Sequence, residues 1–126
     1  MPQPATGARG EGIIVLPDGE QVRVLFTNRA LVEAERALGK SILALAQGFG
    51  DGIVGIGDVA QLLLVGMQAS RRDERAGGPI PNLASAYDVM DQVGFAKVAE
   101  AVIGAVAGVL SYGQDDAGGE DPDPNA

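Results

Sequence analysis

Four groups of residues in this chain have types and spacings that could do chemistry. Gly50-Asp51-Gly52-Ile53-Val54-Gly55 matches G-x-G-x-x-G, the spacing with which dinucleotide-binding folds bring a backbone against pyrophosphate at a helix N-terminus. Asp88 and Asp91 stand one helical turn apart, and paired carboxylates can share a proton or hold a metal. Lys40 precedes Ser41, the residue types of a Ser/Lys nucleophile pair. Asp115, Asp116, Glu120, Asp121 and Asp123 crowd the C-terminal segment and could bind calcium weakly.

Each group lacks the context its chemistry requires. The glycine pattern calls for a preceding strand in a βαβ unit, whereas a helical segment precedes it, so a flexible loop is expected. Without a histidine or a convergent pocket, Asp88 and Asp91 read as a solvated face. Adjacent helical residues do not face each other, and helix capping accounts for Ser41. The acidic segment has no EF-hand spacing and reads as a solubilising or docking tail. The chain contains no cysteine and no histidine, which excludes disulfides, thiolate nucleophiles, the usual Cys/His zinc sites and the commonest general base near neutral pH. A binding protein with no catalytic residues, cofactor or metal is expected, not an enzyme.

The partners are bounded by charge and hydropathy. Of 17 acidic residues five lie after Gly113, so the body is only mildly acidic. The one local basic cluster, Arg71, Arg72 and Arg75, is interrupted by Asp73 and Glu74, which argues against nucleic acid. The N-terminus has no basic region followed by an apolar run, so residence in the cytoplasm is expected. Ala101 to Leu110 covers half of the roughly 20 apolar residues that a membrane span needs and reads as core helix.

With 126 residues, 46% of them hydrophobic but only 4% aromatic, the chain suits one domain packed from small aliphatic side chains. The pattern predicts a mainly α protein with a small N-terminal β-hairpin (α+β), a compact bundle of about four or five helices. A flexible leader is expected over 1–11, a single domain over 12–113 and a disordered acidic tail over 114–126. Ile13-Ile14-Val15-Leu16 and Val22 to Phe26 flank the turn signal Pro17-Asp18-Gly19 and predict a hairpin over 12–26. Its apolar face, read as Val22, Val24 and Phe26 with Ile13 and Val15, must lie on helices or pair with another subunit.

Helices are expected within 28–112. One is capped by Thr27 or Asn28 and ends at Gly39; a second runs from Ser41 to Gly48. A glycine-rich loop anchored by Phe49, Ile53 and Ile56 leads to a third near Asp58, the most buried, ending in the charged loop Arg71 to Gly78. A short helix follows Asn82, and the last opens at Phe95, with Gly104 and Gly108 offering a surface for close helix approach. Phe26, Leu31, Leu62, Met67, Phe95, Val102 and Val109 are the candidate core or partner-binding positions.

Read in order, the hairpin, then Leu31-Val32-Glu33-Ala34-Glu35-Arg36-Ala37-Leu38-Gly39-Lys40-Ser41-Ile42, then Val59-Ala60-Gln61-Leu62-Leu63-Leu64-Val65-Gly66-Met67, resembles the tail assembly chaperones of long-tailed phages. The gene-transfer-agent type is the most similar. In that family a strand pair precedes a helix ending in a Leu-Gly step, a helix with a Leu-Leu-x-x-Gly-Leu-like element, and a C-terminal amphipathic helix. Here Met67 stands where leucine is commoner.

The resemblance covers residues 12–112. It implies a chaperone, without an active site, that coats the tape measure protein, keeps it soluble and recruits tail tube subunits. Such a chaperone works in the bacterial host cell and is absent from the mature virion. Weak self-association, giving a homo-oligomer, would let many copies line a long rod. Members of the family are often also made in a longer form by ribosomal frameshifting, whose junction would lie near the segment after Gly113. The alternatives are a structural tail or head-completion component of the virion, and an acidic regulator or inhibitor.

Overall fold

The computed structural model describes residues 10–111. Its first reversal is set by Pro17, whose ring fixes φ, and Gly19, which takes the left-handed φ of +92°. The Gly19 N–H donates to the Leu16 carbonyl at 2.9 Å and the Leu16 N–H donates to Glu20 at 2.7 Å. This turn aligns β1 (Glu11–Val15) antiparallel to β2 (Gln21–Leu25), with Gly12 opposite Val24 and Ile14 opposite Val22. The Phe26 N–H donates to Gly10 at 2.7 Å and extends the ladder by one pair. Strand structure thus begins at Glu11, inside the expected leader; residues 1–9 of that leader, and the expected tail over 114–126, lie outside the described residues.

The register corrects the expected apolar face of β1. Cross-strand partners share a face, so Gly12 and Ile14 join Val22 and Val24, while Ile13 and Val15 lie opposite them with Arg23. Ile14 and Val24 are buried, and Val15 is 57% exposed. A run of four consecutive aliphatics has no polar residue to reveal which parity points inward, and a slip of one exchanges the faces.

Five helices follow, giving a mainly α protein with a small N-terminal hairpin: α1 (Asn28–Leu38), α2 (Ile42–Gly50), α3 (Ile56–Glu74), α4 (Leu83–Val93) and α5 (Phe95–Ser111). The Thr27 hydroxyl accepts from the Ala30 N–H, and Gly39 closes α1 at φ +68°. The corner into α2 is capped twice. Ser41 Oγ accepts from the Ala44 N–H at 3.1 Å, and the Glu35 carboxylate accepts from the Ile42 N–H at 2.8 Å. Lys40 reaches Asp58 at 3.0 Å and ties the corner to the first turn of α3. Asn82 and Ser85 form a reciprocal cap on α4.

Three boundaries differ from expectation. α2 runs past Gly48 to Gly50; α3 begins at Ile56 and absorbs Arg71 to Glu74, stopping at Arg75 in the left-handed region, φ +53°. Of the expected loop anchors, Phe49 is half-buried, but Ile53 and Ile56 are exposed.

One hydrophobic core draws on the hairpin and all five helices, with α3 contributing Val59, Leu62, Leu63 and Val65. The hairpin seats on α3 through a glycine. A Cβ on Gly66 would lie 2.8 Å from Val24 Cβ and 2.9 Å from Phe26 Cζ, so only hydrogen fits between helix and strand. Gly104, expected to admit a neighbouring helix, instead faces open space, with nothing within 4 Å of a Cβ built on it. Gly66→Ala should therefore cost about 1–3 kcal/mol in urea unfolding, the scale of core overpacking. Gly104→Ala should stabilise by up to about 1 kcal/mol through helix propensity.

Candidate docking surface

The glycine pattern that could cradle a phosphate is already satisfied internally. Gly50 ends α2, the Asp51 N–H donates to Gln47 and Gly48, Gly52 donates to Phe49, and the Ile53 N–H donates to Gly48 at 2.7 Å. These donors close the C-terminal turn of α2, the end of a helix that repels anions. Ser41 is occupied in capping and Lys40 in its pair with Asp58, so the two do not form a nucleophile pair. Asp88 and Asp91 are exposed on α4, and among the described residues no group of three or more His, Cys, Asp or Glu side chains could hold a metal ion. The C-terminal carboxylates lie outside the described residues.

The seven candidate core or partner-binding residues fall mostly into the core. Phe26, Leu62 and Val102 are fully enclosed and Leu31 is buried; Met67, Phe95 and Val109 are half-buried at the core's margin. The four buried side chains are thus core positions, one of the two readings open for them. Helical periodicity locates a buried stripe, and a stripe that fits the period is core first.

Of the six large aliphatic side chains left exposed among the described residues, four fall close together in the sequence, while Val15 on β1 and Ile80 before α4 lie apart from them. Val32 on α1 is 47% exposed, Leu43 on α2 is 72%, and Ile53 and Ile56, beside and at the start of α3, are 72% and 65%. All four lie between residues 32 and 56, on the α1–α2 corner and the loop that follows it. Val32 also lines a shallow depression of about 380 Å³, together with Glu35, Arg36, Gly39, Lys40 and Ser41. The corner is held by local caps, so the apolar surface is presented by a pre-formed element. The signal in the sequence was Leu43 standing outside the buried pair Ile42 and Leu45, with two isoleucines in a glycine-rich loop where packing makes no use of them.

Electrostatics organise the opposite end. Arg23 Nη2 donates to Glu11 at 3.0 Å, while Nη1 reaches Ser70 Oγ at 3.3 Å and Asp73 and Glu74 at 3.2 Å each. Burial opposes the charge on this guanidinium, but its bonds to Glu11 and Asp73 and the charges of Asp73 and Glu74 outweigh that and raise its pKa. The acidic residues that interrupt the basic cluster are thus spent on β2. No single helix among the described residues is long and apolar enough to cross a membrane.

No family model matches this chain, and no curated protein and no solved structure matches it.

Exposed aliphatics and core aliphatics should separate in mutational stability. Leu43→Ser and Ile56→Ser should each change unfolding free energy by no more than about 0.5 kcal/mol, while Leu62→Ala should cost about 2–5 kcal/mol by the same denaturation measurement.

Proposed function

We propose that this chain is a tail assembly chaperone of the gene-transfer-agent type: a non-enzymatic protein that binds the tape measure protein, keeps it soluble and recruits tail tube subunits. It acts in the cytoplasm of the host cell and leaves before the virion matures. The observation that carries this reading is the exposed aliphatic set Val32, Leu43, Ile53 and Ile56 on a capped helical corner. Such a surface suits the apolar stripe of an amphipathic helix, the form in which a long helical rod presents itself. The order of hairpin, Leu38-Gly39 helix end and Gly66-Met67 element supports it through the resemblance. Many weak copies along one rod would give avidity without a large interface.

Co-expression with the tape measure protein encoded nearby, followed by pull-down and light scattering, tests this. Many copies per partner chain are expected in a soluble complex. Replacing Leu43, Ile53 and Ile56 together with Asp should reduce the recovered complex about tenfold or more, with helix content unchanged by circular dichroism. An insoluble tape measure protein despite co-expression would refute the reading.

A further inference from the structure

Positive charge is gathered on one side of an acidic protein. Five of the eight cations among the described residues, Arg29, Arg36, Lys40, Arg72 and Arg75, are exposed on α1, on the corner after it and at the end of α3. Arg29, Val32, Glu33 and Arg36 are spaced as i, i+3, i+4 and i+7 and share a face of α1, away from the buried Ala30, Leu31 and Ala34. The Glu33 carboxylate lies 3.2 Å from both Arg29 and Arg72, which sets the end of α3 beside this face. Lys40 lines the same depression as Val32 and Arg36.

The acids on this side are already engaged. Two guanidiniums share Glu33, Asp58 pairs with Lys40, Glu35 caps α2, and Asp73 and Glu74 turn away to Arg23. Arg36 and Arg75 form no ion pair among the described residues.

Such a face suits an anionic partner, and the chain itself carries the matching charge. Asp115, Asp116, Glu120, Asp121 and Asp123 follow α5 with no cation among them. The fold brings their point of attachment to α1. A Cβ on Gly10 would lie 3.1 Å from the Phe26 carbonyl carbon and 3.2 Å from Val109 Cβ, so the last turn of α5 sits beside the residue that leads into α1. With 11 residues, α1 is about 16 Å long. Asp115 stands four positions beyond Ser111 and Asp123 twelve, and at up to about 3.5 Å per residue these carboxylates can reach along the whole of α1.

We propose that residues 112–126 lie back along this face in cis, with their carboxylates against Arg29, Arg36, Arg72 and Arg75. Exposed pairs are individually weak, but the tether keeps five carboxylates near these cations at an effective concentration on the order of millimolar. A segment in that place covers Val32, so a partner seated on the α1–α2 corner must displace it. That consequence rests on the function proposed above, whereas the contact does not.

The contact is tested in the full chain. With no cysteine in the sequence, Ala117→Cys takes a nitroxide label at one position. By NMR the label should broaden the amides of Arg36 and Lys40, at the end of α1 far from the attachment point, at least about threefold more than in a chain that also carries D115N, D116N, E120Q, D121N and D123N. Raising sodium chloride from about 0.05 M to about 0.5 M should abolish the difference, because salt screens exposed charges. Arg29→Glu together with Arg36→Glu should abolish it at low salt, with helix content unchanged by circular dichroism. Equal broadening in the two chains, a difference that persists at high salt, or broadening that grows with protein concentration and so comes from a second copy would each overturn the proposal.

Discussion

The close approach of β2 to α3 at Gly66 is the constraint on which the rest of the architecture depends. A two-stranded hairpin has too little surface to stay folded in water, so it must bury one face on a helix. Val24 and Phe26 do so by descending onto Gly66, a position of α3 that has no side chain. Both are fully buried there, together with Leu62 and Leu63 one turn earlier. With β2 seated, the turn at Pro17 to Gly19 sets where β1 must run, and β1 in turn meets α5 through Gly12. Two glycines thus make the hairpin a lid on the α3–α5 pair.

Polar interactions then orient what burial has already stabilised. Arg23 joins Glu11 on β1 to Asp73 and Glu74 at the end of α3, but those two acids are half exposed, and exposed ion pairs contribute roughly 0–1 kcal/mol each. The network cannot be the main source of stability. Its effect is directional: the guanidinium holds the outward face of the hairpin against the last turn of α3. Glu35 acts in the same way at the other end, where one carboxylate of α1 accepts the first amide of α2 and fixes the angle of the corner.

Local chemistry was legible in the sequence wherever a residue type has one physical use. Thr27, Ser41 and Asn82 cap the helices they precede, and Gly39 takes the left-handed conformation that ends α1. What could not be read was decided by tertiary contacts. The four aliphatics from Ile13 to Leu16 carry no parity, so the inward choice of Ile14 is made by the register of the turn. Gly48 does not stop α2 because its carbonyl accepts from Asp51 and Ile53, and Arg71 to Glu74 continue α3 because Arg23, 47 or more positions earlier, accompanies its last turn.

The same logic explains why the sequence alone does not separate core from candidate docking positions. Phe26, Leu62 and Val102 fit the helical or strand period, and residues that fit the period are those the fold itself consumes. A docking surface is made of side chains the fold leaves over, and it shows as aliphatics that break the period. Leu43 adjoins Ile42, a residue already facing the core, and Ile53 and Ile56 flank a glycine loop where no stripe can form. Leaving three large aliphatics in water forgoes roughly 1.5–3 kcal/mol for each one that burial would have gained. That sacrifice, made on a corner pre-formed by Ser41 and Glu35, is the physical ground for placing recognition there and not in the interior.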